Sequence, residues 1–194
     1  MKIRVVALAS ILSATAFAQA PPPAATPAPT KGGAPEPPAK PAPDLESELK
    51  FFEGVWKCET HFAASAFGAG SPEMTTQSTV RFKRDLEGYF YRGEYEIKKG
   101  KGMPGFRATL FVGYQPAARV FTMTTVDTSG ATGLASSPGF DGDTITFSGQ
   151  GYVGGQVLKT RESLTKRGAR EVAHKFEVET SKGLQTIGED TCKR

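Results

Sequence analysis

The stretch GVWKCETHF, residues 54–62, sets a tryptophan, a cysteine and a histidine within six positions. Read as a strand, its side chains alternate between two faces. Trp56, Cys58, Thr60 and Phe62 then share one face, and Lys57, Glu59 and His61 share the other. Cys58 and His61 point apart, so a regular strand makes neither a metal site nor a nucleophile–base pair of them. Trp56 reads as a structural residue. Cys58 has a better partner in Cys192, the only other cysteine, which lies close to the far end of the chain. If the first and last strands of a sheet meet, these two thiols meet with them. A Cys58–Cys192 disulfide is therefore expected, and the chain-entropy model gives a bridge over so long a loop roughly 5 kcal/mol.

Outward from this stretch the hydrophobic period is two. Runs with strand character occupy 55–62, 75–84, 89–98, 106–114, 119–127, 132–137, 143–152, 156–165, 171–180 and 184–193. Gly, Pro, Asp and Lys clusters separate them, with hairpin chemistry at Glu87-Gly88, Gly154-Gly155 and Ser181-Lys182-Gly183. About ten sequential strands with short turns predict an all-β, antiparallel up-and-down barrel, because so long a meander removes its edges by closing. A β-sandwich normally needs longer crossovers. Before the first strand, Asp44 caps a short helix with Leu45, Leu49 and Phe52 on one face, ended by Gly54.

The N-terminus has a different character. Lys2 and Arg4, an apolar run from Val5 to Ala14 and the small residues of AFAQA have the pattern of a secretory signal peptide over 1–18, with cleavage after residue 20 as the alternative. The run is shorter than the ~20 residues a membrane-spanning helix needs. No cysteine stands near the cleavage site to carry a lipid anchor. Residues 19–43 form a Pro/Ala-rich linker whose stretch 21–43 holds 10 of the 14 prolines; its composition cannot build a core, so it is expected to be disordered. A partner for it is not specified by the sequence. The folded domain is residues 44–194. Setting aside Lys2, Arg4, Lys31, Lys40 and Glu36 leaves this domain 20 basic and 19 acidic residues, so the high overall pI does not point to nucleic acid.

A pocket inside a barrel takes its chemistry from polar side chains on apolar faces. Asp127 follows Phe121 and Met123 in phase, Glu162 shares a face with Leu158 and Leu164, His174 lies between Val172 and Phe176, and Glu189 follows Ile187. Tyr91 and Tyr95 share a face with Ile97. These six residues are the candidate ligand-binding set. Each also has a plain structural reading: Asp127 begins the turn DTSG, His174 suits a satisfied core position, and the tyrosines fill space. No catalytic motif, phosphate loop, metal-ligand spacing or cofactor signature is present, so no cofactor or metal is expected.

Several motifs resemble a known family. ELKFFEGVW, LEGYFYRGEYE, FVGYQPAARVFTMTTVDTSG, FSGQG and the terminal GEDTCKR follow the order seen in a bacterial exported family of unknown function with a lipocalin-like, or calycin, barrel. The resemblance covers most of residues 44–194. It implies a barrel opened by Gly54-x-Trp56 but supplies no established activity. The related nitrobindin-like haem proteins carry their haem ligand as a histidine on the closing strand; TIGEDTCK has none, so haem is not expected. The functional expectation is an exported, periplasmic or secreted barrel that binds a small apolar or amphipathic molecule. A hydrolase or isomerase using Glu162 and His174, and a filled barrel acting as an envelope interaction module, are the alternatives.

Overall fold

The computed structural model describes residues 43–68, 70–100, 105–153 and 155–194. The expected signal peptide, and the Pro/Ala-rich linker up to residue 42, lie outside the described residues. Helix α1 (Pro43–Leu49) runs into a 3-10 turn, Lys50–Phe52. Leu45, Leu49 and Phe52 are all buried, as their spacing predicts. At Gly54 the backbone takes a φ of +117°, a value side-chain-bearing residues rarely adopt, and the chain swings from helix to strand.

Eleven strands follow: β1 (Gly54–Phe62), β2 (Met74–Asp85), β3 (Phe90–Ile97), β4 (Phe106–Gln115), β5 (Val120–Asp127), β6 (Thr132–Ser137), β7 (Phe140–Asp141), β8 (Thr144–Val153), β9 (Gln156–Lys166), β10 (Glu171–Thr180) and β11 (Gly183–Lys193). From β1 to β6 and from β8 to β11 each strand pairs antiparallel with the next; β6 also pairs β8, and β1 pairs β11. Ten strands therefore close into a barrel, and the two-residue β7 is a flap on β8. Where β6 and β8 meet, a Cβ on Gly149 would lie 2.0 Å from the Leu134 carbonyl oxygen, so this approach requires glycine.

Alternation sorts the chain by polarity. Inward positions build one core that includes Trp56, Phe82, Tyr91, Val112, Met123, Ile145 and Phe147. Outward positions carry charge, including exposed Lys57, Glu59 and Arg81 and the 2.7 Å pair between Arg161 and Glu177. On β5, β6, β8 and β9 the outer face also exposes Val126, Leu134, Tyr152 and Val157. No described helix is long and apolar enough to cross a membrane.

Two inward pairs run along the β1–β11 seam, and a cation–ring contact lies at its end. Cys58 lies opposite Cys192 and the two form the expected disulfide, linking positions 134 residues apart. Two residues further on, Thr60 lies opposite Asp190. In the other direction the Arg194 guanidinium stacks 4.5 Å from the Trp56 ring centre and donates to the Glu53 carbonyl at 2.6 Å. Phe51 joins this group, and Lys166 sits 4.0 Å from the Phe140 ring centre beside it. This end of the barrel is shut by aromatic rings with cations laid over them.

Candidate functional site

Inside the barrel lies a cavity of about 110 Å³. Most of its wall is apolar: Phe52, Trp56, Phe82, Met123 and Phe147 are among the residues that form it. The polar part comes from four strands. Tyr95 projects from β3, Glu162 from β9, His174 from β10 and Asp190 from β11. Strand register explains why they meet. His174 pairs with Asp190 on one side and Leu164 on the other, which places Glu162 diagonally next to it on the same face.

His174 is held between two carboxylates. Its Nδ1 donates to Asp190 Oδ2 at 2.7 Å, and its Nε2 faces Glu162 Oε2 at 3.4 Å. Burial alone would push the imidazole toward its neutral form. The hydrogen bonds and charges of Asp190 and Glu162 outweigh that and lift its pKa to about 10. His174 therefore stays an imidazolium at neutral pH, its Nδ1–H bonded to Asp190 and its Nε2 in an ion pair with Glu162.

Asp190 is fully engaged as well. Its second oxygen accepts from the Thr60 hydroxyl. Because Thr60 has one proton and directs it at Asp190, its contacts with Ser78 Oγ at 2.8 Å and Tyr95 OH at 3.1 Å must be bonds that Ser78 and Tyr95 donate. Burial, then the Asp190 charge, pushes the Tyr95 phenol up to about 12, so it keeps that proton. Trp56 Nε1 donates to the Phe52 carbonyl at 2.7 Å. Glu162 is different. It lines the cavity, and its Oε1 has no partner among the described residues.

Three of the six candidate residues, Tyr95, Glu162 and His174, come together at the cavity. Tyr91 is fully buried and stacks on Phe82 with ring centres 5.3 Å apart, but it does not line the cavity. Burial and the Glu53 carboxylate raise its pKa. Asp127 turns back on its own hairpin, accepting from Ser129 N at 2.7 Å, Ser129 Oγ at 2.6 Å and Ala131 N at 3.2 Å. Glu189 is exposed on the outer face. Its neighbour Asp190, only 8% exposed, is the acidic residue of β11 that enters the site. The signal for Asp190 was its spacing, two residues from Cys192 and so on the face of the disulfide. Among the described residues no group of three metal-ligating side chains is arranged to hold an ion.

Neither a family model nor a curated protein matches the sequence. Among solved structures the chain is similar to a redesigned β-barrel, at 15% identity and a TM-score of 0.39, over 75% of this chain and 93% of that one.

Proposed function

We propose that this protein is an exported small-molecule-binding barrel of the lipocalin-like type, akin to the bacterial exported family its motifs resemble. The observation that carries the binding reading is the cavity: an apolar hollow whose wall is polar only around Tyr95, Glu162, His174 and Asp190. A few placed polar groups in an apolar wall is the usual composition of a ligand site. At about 110 Å³ the hollow is smaller than the roughly 150 Å³ cavity known to hold benzene and far below the 300–1,000 Å³ of pockets for drug-sized ligands. The ligand is compact. The disulfide supports an oxidising compartment, as does the signal-like N-terminus. Acid–base catalysis by His174 is disfavoured because both ring nitrogens already face carboxylates.

Native mass spectrometry of protein taken from the exported fraction tests the reading. We expect a chain starting at residue 19 or 21, two mass units lighter than its reduced form, with a small adduct lost on denaturation. Titration of small molecules against Trp56, the single tryptophan and a cavity residue, gives the complementary signal. A full-length chain retained in the cytoplasm would overturn export. A fluorescence signal indifferent to every compact amphiphile would overturn binding.

A further inference from the structure

The cavity's hydrogen-bonding inventory narrows the ligand class, given the binding reading above. A protein site selects partners by what its own groups leave unsatisfied. Here each donor already faces a protein partner. Trp56 gives its N–H to Phe52, Tyr95 its O–H to Thr60 and His174 its Nδ1–H to Asp190, while His174 Nε2 stands in an ion pair 3.4 Å from Glu162. Each Asp190 oxygen already has a partner. The remaining group is an acceptor, Glu162 Oε1. Among the described lining residues there is no Lys or Arg.

Charge points the same way. Two carboxylates surround one imidazolium, so the polar wall holds one negative charge in excess. The other lining groups include the rings of Phe52, Trp56, Phe82, Tyr95 and Phe147, whose faces attract cations. An anionic ligand would meet the Glu162 carboxylate and find the imidazolium already paired with it. A neutral hydrocarbon would leave Glu162 with His174 as its one charged partner, at 3.4 Å, and nothing bonded to Oε1.

We propose that the cavity binds a compact organic ammonium, its N–H groups donated to Glu162 Oε1 and its hydrocarbon body packed against the aromatic wall. Asp190 and Thr60 act as positioning residues: they hold His174, which in turn fixes the Glu162 carboxylate.

Three probes of one length and different charge decide it: butylamine, 1-butanol and butyrate, each titrated into the intact protein and read by Trp56 fluorescence and calorimetry. Butylamine should bind about ten- to a hundredfold more tightly than 1-butanol, the range of a charge-assisted hydrogen bond, and butyrate should not bind. Glu162→Gln, which keeps the shape of the side chain, should bring butylamine and 1-butanol to equal affinity. Equal binding of these two by the wild-type protein would overturn the ammonium assignment while leaving a ligand-binding barrel. Preference for butyrate would overturn it too. Failure of all three probes would overturn the binding reading itself. The wild-type series needs no variant to fold, so the assignment stays testable if Glu162→Gln is unstable.

Discussion

Two regions of this barrel place cations beside other groups, and they do so in opposite ways. At the helix-bearing end, Arg194 and Lys166 lie over the rings of Trp56, Phe51 and Phe140, Arg194 exposed and Lys166 half-buried. In the interior, His174 is enclosed by Glu162 and Asp190. The first arrangement is inexpensive, because a guanidinium over a ring keeps much of its hydration. The second requires desolvating three ionisable groups, and a buried ion cluster commonly returns no more stability than an apolar core of the same volume. The plug is therefore explained by folding alone, whereas the cluster is the part that the proposed binding would use. Two strands contribute to both: β1 supplies Trp56, Cys58 and Thr60, and β11 with the residue after it answers with Cys192, Asp190 and Arg194.

The disulfide sits between the two regions and should give the largest effect. Replacing Cys58 and Cys192 by serine is expected to cost about 5 kcal/mol on the chain-entropy model, read as a drop in the denaturant midpoint. If the seam couples the two regions, this variant weakens both; a midpoint unchanged from the wild type would show that the barrel closes without the clasp.

Next comes Asp190→Ala. Removing one partner of a buried ion pair typically costs about 3–5 kcal/mol, because it strands the other. This variant should also lose binding in the interior. Arg194→Ala should cost about 1 kcal/mol, the scale of an exposed cation–π contact, and leave the affinity for small amines unchanged. The comparison fails if Arg194→Ala abolishes binding or if Asp190→Ala is silent in both measurements.

How far these regions could be read from the sequence follows from local geometry. The ten barrel strands were readable because regular alternation extends over six or more residues in each; β7, two residues long, offers no period to detect. Tyr95, Glu162 and His174 sit in unbroken alternation with core residues, so their inward direction was readable. On β11 the hydrophobic markers Ile187 and Cys192 are five apart and cannot share a face of a regular strand. Ile187 falls where the β10–β11 register shifts, Phe176 pairing with Gly188 and Glu177 with Thr186. A residue at such a bulge no longer reports which face is which. Counting from Ile187 selects Glu189; counting from Cys192, whose face is set by its bond to Cys58, selects Asp190. Asp127 shows the other limit: alternation gives its phase, but its carboxylate is taken by Ser129 and Ala131 in its own turn.

The smallest change that separates the regions is a single proton. His174 ordinarily would titrate at 6.5 and here is lifted to about 10, so the folded state holds a proton that the unfolded chain releases at neutral pH. Stability from this source is complete below about pH 6.5 and is lost as pH rises toward 10. At pH 8 the ring nitrogens of His174 should both show the protonated pattern in nitrogen–proton correlation spectra. A neutral tautomer at that pH would mean that the carboxylates do not govern the imidazole. Asp190→Asn removes one of the two charges that hold the proton, so it should bring the titration down and flatten the dependence of melting on pH. Arg194→Ala alters a cation remote from the imidazole's partners and should leave that dependence intact. A common pH slope in both variants would mean that the proton is held by the barrel as a whole and not by the interior cluster.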